Sequence, residues 1–172
     1  MALKKTSTLM NLGSKIDLVD GVPAHLTISL PLNSLDREVF VVTDIVMDYE
    51  PVEIPQLPGQ NVSLFASVNK SATGILTINN PNAVGSLRVQ CTTTPVSSPV
   101  QETFSPTAFS SGTQQDFLSI IATNDYVLSG SYATTGAGAP NRSVFVRITG
   151  FRAQATSDIY AALVTEELNS QF

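Results

Sequence analysis

Apolar residues recur at every second position wherever a pattern can be read along this chain. The segments 26–30, 62–68, 126–132 and 144–148 each place a row of apolar side chains on one side of an extended backbone. A period of two is typical of strands that bury one face. Turns rich in Pro and Gly, such as 51–60 and 134–142, separate these segments and leave little room for parallel crossovers. The sequence therefore predicts an all-β protein, an antiparallel β-sandwich of about eight strands.

The segment 37–50 departs from simple alternation. Every odd position from Val39 to Tyr49 is apolar or threonine, yet Phe40 and Val42 at even positions are apolar too. In an isolated two-layer sandwich the outer face of a strand meets water and should be polar. We therefore expect another element, or neighbouring subunits, to cover the outer face at this point.

The N-terminal residues 1–22 carry regularly spaced apolar residues and are predicted to form an extended arm, with residues 23–172 as a single sandwich domain. Phe145 lies opposite the apolar row of its own segment, as Phe40 and Val42 do in theirs. We expect deletion of residues 1–22 to leave the sandwich folded and to block assembly. The predicted contacts between copies are Leu9, Leu12, Ile16, Leu18, Phe40, Val42 and Phe145.

Two segments allow both a helix and a strand. Residues 157–168 begin with a Ser cap followed by an acid, as a helix would, but their apolar residues also suit a strand buried on both faces. We predict a strand there. Residues 114–122 are the best helix candidate, although the β-branched pair Ile120 and Ile121 weakens that prediction.

Charge and cysteine content exclude several classes of protein. The net charge is −5, and most of the 9 basic residues are scattered singly, whereas binding to a phosphate backbone needs clustered Lys and Arg. Direct nucleic-acid binding is expected to be weak or absent. No segment approaches the ~20 apolar residues of a membrane span, and no signal peptide is expected. The single cysteine, Cys91, forms no internal disulfide and is predicted to be a buried apolar residue.

The chain offers little for catalysis. His25 has no partner in the sequence that would make it a catalytic base or a metal ligand, and it is predicted to be an ordinary surface or interface residue. Carboxylates at Asp44, Asp48 and Glu50 continue one row and are a weak calcium hypothesis, because oxygen ligands suit Ca²⁺. The competing interpretation is a solvated half-strand. No enzyme activity and no other cofactor are predicted.

In organisation the chain resembles a small viral capsid protein with a single jelly-roll fold. An apolar N-terminal arm precedes a run of about eight strands from 37–49 to 157–168, with long loops between them. The resemblance implies two facing four-stranded sheets, many copies that tile a closed shell, and a location in the virion. It leaves open whether other capsid proteins take part. Members that package genome with their own arm usually have a strongly basic one, whereas Lys4, Lys5 and Lys15 are few.

Two other classes remain as alternatives. A phage fibre or decoration protein, or an adhesin-type binding module, is also a β-sandwich. A small hydrolase or isomerase on a β-scaffold is disfavoured because the sequence shows no catalytic constellation.

Overall fold

The computed structural model describes residues 3–52, 60–77, 79–93, 100–104, 108–110, 117–135 and 140–169. The α-helix α1 (Ser157–Asn169) follows the last strand, and a short 3-10 helix (Ser34–Asp36) precedes β4. The strands are β1 (Lys4–Lys5), β2 (Met10–Leu18), β3 (Ala24–Ser29), β4 (Glu38–Tyr49), β5 (Asn61–Asn69), β6 (Ala83–Thr93), β7 (Val100–Phe104), β8 (Ala108–Ser110), β9 (Ser119–Ile121), β10 (Asp125–Thr134) and β11 (Arg142–Gln154).

The strands form two antiparallel sheets. In the first sheet β11 pairs with β1 and β2 on one side and with β4 on the other, and β4 pairs with β8 and β9 at its far side. The second sheet has the order β3-β10-β5-β6-β7. Most successive strands alternate between the two sheets, which is the connectivity of a jelly roll. The predicted fold class is confirmed.

The main core lies between the two sheets. The predicted apolar rows of β5, β10 and β11 all face it, because alternate side chains of a strand point to the same side. Cys91 on β6 is completely buried there, as the sequence predicted. The buried members of these three rows are Val62, Leu64, Ala66, Val68, Tyr126, Leu128, Tyr132, Val144, Val146 and Ile148.

A β-bulge in β4 changes which residues face the core. Thr149 of β11 is opposite Asp44, but the next residue of β11 is opposite Val42, so Thr43 is an extra residue in β4. Even-numbered residues before the bulge, Phe40 and Val42, therefore lie in the main core, together with the odd-numbered Ile45 and Met47 after it. The sequence pattern, read as a regular strand, places Phe40 and Val42 opposite an inward row of odd positions, and this assignment is wrong for the part of β4 before the bulge.

A second apolar cluster explains why β4 is buried on both faces. Val39 and Val41, on the outer face of the first sheet, pack in this cluster with Ala153 of β11. The helix α1 contributes Ile159, Tyr160, Leu163 and Val164 to it. The covering element is thus part of the same chain.

The strand predicted over residues 157–168 is therefore wrong. In a helix, positions 159, 160, 163 and 164 form one apolar stripe, and that stripe packs against the outer face of the first sheet.

The helix predicted near residues 114–122 is also wrong where the structure describes it. Residues 114–116 lie outside the described residues, and Ser119–Ile121 form β9, paired with Phe40–Val42 of β4. Ile120 lies in the second cluster and Ile121 in the main core. Both faces of this short strand are buried, which is why its apolar residues are adjacent in sequence.

Candidate assembly surface

The outer face of the first sheet has a covered part and an open part. The helix α1 covers the part around Val41 and Ala153. Beyond it, Phe145 and Arg147 of β11 are exposed, with Phe145 showing 40% of its surface. An aromatic ring on an open sheet face provides apolar area for a partner. We call the exposed outer part of β2, β11 and β4 the open face.

A small ion-pair network lies on the open face. The ammonium of Lys15 is 2.9 Å from the carboxylate of Asp17 and 5.8 Å from the ring centre of Phe145. The Ser143 hydroxyl donates a hydrogen bond of 2.8 Å to Asp17. The hydrogen bond from Lys15, and to a smaller extent that from Ser143, lowers the pKa of Asp17. The hydrogen bond to Asp17 in turn raises the pKa of Lys15. The charges of β2 are therefore already matched within the subunit.

The strand β2 is an edge of the first sheet. It pairs with β11 on one side, and no described strand pairs with its other side. The direction of its free peptide groups follows from its neighbour. Glu50 donates its backbone N–H to the Ser143 carbonyl (2.9 Å), so the peptide groups of Ser143 point to β4. The direction alternates along an antiparallel strand, so those of Val144 point to β2.

The same alternation fixes which residues of β2 are free. Those opposite even-numbered residues of β11, such as Ile16 opposite Val144, bond to β11. The N–H and C=O groups that point away from the sheet belong to Asn11, Gly13, Lys15 and Asp17. An unpaired row of this kind is a template for another strand.

Exposed apolar residues surround this edge. Leu9, immediately before β2, exposes 59% of its surface, and Val19, immediately after it, exposes 47%. Val22 and Leu26 expose 54% and 40%, and Leu26 lies on β3, which is the edge of the second sheet on the same side of the sandwich. Exposed apolar groups that gather along one edge favour a protein contact.

The structure divides the predicted contact residues into three groups. Leu9 and Phe145 are exposed, and their role as contacts between copies stays a prediction. Leu12 is partly buried against the main core. Ile16, Leu18, Phe40 and Val42 lie in the subunit's own core, with at most 6% of their surface exposed.

Burial removes these last four residues from the predicted contact surface. The physical reason for Ile16 and Leu18 is that residues 10–18 of the predicted arm form a strand of the sandwich. For Phe40 and Val42 the reason is the bulge, which turns these even positions toward the core.

The carboxylates of the calcium hypothesis do not converge. Asp44 and Asp48 are separated by four residues of strand, about 13 Å at ~3.3 Å per residue, too far to share an ion bound at roughly 2.5 Å. Glu50 accepts a hydrogen bond from the backbone N–H of Ser143 at 3.0 Å. No group of three or more His, Cys, Asp or Glu side chains that could hold a metal occurs among the described residues.

Sequence reasoning missed Val19, Val22 and Leu26 as surface residues. Leu26 was assigned to an inward row, and it does share a face of β3 with the partly buried Ala24 and Ile28. It is exposed because β3 is an edge strand, which a period-two pattern cannot reveal. Val19 and Val22 form a bridge in the turn between β2 and β3, where no periodicity exists to read. His25 is exposed on β3, as predicted for a surface residue.

No helix in the described ranges combines the length and the apolar character that crossing a bilayer requires.

The order of the strands and the two facing sheets define this chain as a jelly-roll protein. No protein-family model and no curated protein sequence matches it. Among solved structures, VP1 of chimpanzee polyomavirus superposes with a TM-score of 0.52 at 6% identity, covering 91% of this chain and 100% of that chain. VP1 of trichodysplasia spinulosa-associated polyomavirus superposes with a TM-score of 0.51 at 8% identity, with the same coverage.

Both structures are of viral capsid proteins. At such low identity the likeness is one of fold. The resemblance that the sequence predicted is confirmed at that level.

Proposed function

We propose that this chain is a structural subunit of a viral capsid, and that copies of it associate into a closed shell. The observation that carries the proposal is the jelly-roll fold, which the chain shares over 91% of its length with VP1 of two polyomaviruses. The fold alone hosts many functions, so the surface must also suit assembly.

The surface of the subunit supports this role. A free strand edge and exposed apolar residues, among them Leu9 and Val19, lie on one side of the sandwich. Soluble monomers usually protect edge strands and keep apolar patches small. The free strand edge and the exposed apolar residues would both become buried contacts if neighbouring copies covered them.

The proposed partners are copies of the same chain, and the proposed location is the virion. The proposal includes no catalytic step, no metal and no direct contact with nucleic acid, in keeping with the scattered distribution of the basic residues.

The test is the state of the purified full chain. Sedimentation velocity and negative-stain electron microscopy are expected to show closed particles of uniform size. A stable monomer at high micromolar concentration, with no particles under any ionic strength tried, would contradict the proposal and favour the binding-module alternative.

A further inference from the structure

We infer that β2 is a contact between two copies of this chain, which pair antiparallel through their free β2 edges about a two-fold axis at Ser14. The inference deepens the proposed function by naming one of its contacts. A two-fold contact uses the same surface patch on both copies, so the patch must be complementary to itself. The described residues allow this to be checked position by position.

The backbone is complementary to itself in this register. With Ser14 opposite Ser14 of the second copy, the whole of Met10–Leu18 overlaps. The outward-pointing residues then meet one another, Asn11 with Asp17 and Gly13 with Lys15 of the second copy. Each free N–H and C=O along the edge gains a partner, and the two first sheets become one continuous sheet.

The side chains in this register avoid repulsion. Asp17 faces the Asn11 amide of the second copy, and Lys15 faces Gly13, so no like charges are directly opposite. Gly13 has open space around it, since a Cβ placed there would meet no atom within 4 Å. The neighbouring register centred on Lys15 would place two ammonium groups opposite each other, which is unfavourable.

The exposed apolar residues that flank β2 provide an independent indication. Leu9 and Val19 lie five residues before and five residues after Ser14. The register therefore brings Leu9 of one copy next to Val19 of the other, at both ends of the shared ladder. Two apolar side chains with exposures of 59% and 47% would thus cover each other.

Mixed disulfide cross-linking of the full chain tests the register. Chains with Gly13→Cys and chains with Lys15→Cys are mixed and oxidised, and cross-linked dimer is measured on a non-reducing gel. The mixture is expected to give several-fold more dimer than either variant alone, because directly opposite strand residues have Cα atoms within disulfide range. Wild type, whose Cys91 is buried, measures the background.

A second pair of variants tests the ladder without cysteine. Gly13→Pro removes an outward N–H and leaves the bonds to β11 in place, whereas Gly13→Ala keeps the donor. We expect the proline variant to weaken dimer formation at least tenfold and the alanine variant to leave it unchanged, with the same circular dichroism spectrum for both.

The outcomes separate the two proposals. Particles without cross-linking above background, and with unchanged assembly of Gly13→Pro, would overturn the β2 contact and leave the proposed function standing. Cross-linked dimers in the absence of particles would support the β2 contact and contradict the shell.

Discussion

The carboxylate of Glu167 accepts a hydrogen bond of 2.8 Å from the backbone N–H of Ala122, and thereby fixes the last turn of α1 to the segment that joins β9 and β10. Its second oxygen accepts from the N–H of Thr123 at 2.9 Å, and only 1% of the residue is exposed. Two backbone donors, buried at Ala122 and partly buried at Thr123, are satisfied by one side chain from a distant element. This contact holds the helix over the second apolar cluster.

Replacing Glu167 by Ala is expected to destabilise the subunit. A buried donor left without a partner costs about 1–3 kcal/mol, and the partly buried donor of Thr123 costs less than that of Ala122. The free energy of unfolding should therefore fall by roughly 2–4 kcal/mol and the melting temperature by roughly 4–16 °C. Thermal unfolding followed by circular dichroism measures this. Glu166→Ala, at an exposed position of the same helix, is the matched control. Equal melting temperatures for the two variants would show that the contact does not stabilise the fold.

Leu163→Asp tests whether α1 covers the first sheet. Leu163 packs against the second apolar cluster, so a carboxylate there should detach the helix and expose Val39 and Val41. We expect increased binding of a hydrophobic dye and a lower melting temperature. Ala161→Asp, on the exposed side of the helix, should change neither. Unchanged dye binding by Leu163→Asp would contradict the packing described for α1.

Gly150→Ala is expected to destabilise the subunit strongly. A Cβ on Gly150 would overlap the carbonyl oxygen of Val41 and approach the Phe40 ring to 2.8 Å, because the bulge brings β4 close to β11 at this point. Overpacking of this kind typically costs about 1–3 kcal/mol. Urea denaturation measures the loss, with Gly13→Ala as the control whose Cβ meets nothing. The same midpoint for both variants would refute the close approach.

Deletion of residues 1–22 is expected to unfold the subunit rather than leave a stable sandwich. The deletion removes Ile16 and Leu18 from the main core and leaves one side of β11 unpaired. A chain that lacks only residues 1–8 keeps β2 and should unfold cooperatively near the wild-type temperature. Circular dichroism of the two truncated chains distinguishes these outcomes, and a well-folded 23–172 chain would restore the arm predicted from the sequence.

The pKa of Asp17 should rise when Ser143 is replaced by Ala. The hydrogen bonds from Lys15 and Ser143 hold this pKa below its ordinary value in the folded state. The stabilising contribution is therefore complete above the pKa of the unfolded chain and is lost as pH falls through the lower folded value. Because Asp17 is exposed, the effect on stability is small. NMR titration of the carboxyl carbon measures the shift, and an unchanged value in Ser143→Ala would argue against that hydrogen bond.

Much of the sandwich is readable from the sequence because long parts of its strands bury one face and expose the other. Val144 to Ile148 alternate between buried and exposed side chains, and Val62 to Ala66 alternate between buried and partly buried ones, so local pattern and final burial agree there. The alternating pattern fails where a strand is buried on both faces. Ile120 and Ile121 looked helical because both are apolar, but they pack in different clusters on opposite sides of β9.

The helix α1 was missed for the opposite reason. Ile159, Tyr160, Leu163 and Val164 form a helical stripe, and the alternating residues between them also satisfy a strand pattern. The choice between helix and strand depends on how this segment packs over the outer face of β4, and the sequence pattern alone does not contain that tertiary contact. The open edge of β2 is likewise a property of the assembled sheet, so the residues around it could be recognised only once the topology was known.

Thr43 has a consequence for how the length of this chain can vary. Because it is surplus to the ladder with β11, a deletion of that single amino acid would leave the inward and outward assignments of both halves of β4 intact. Deletion of one residue within either regular half of β4 would instead move the following side chains to the opposite face of the sheet. Such a shift would place a carboxylate or an unpaired peptide group in the interior. We therefore expect natural or engineered length variation within β4 to be tolerated at Thr43 and selected against elsewhere in the strand.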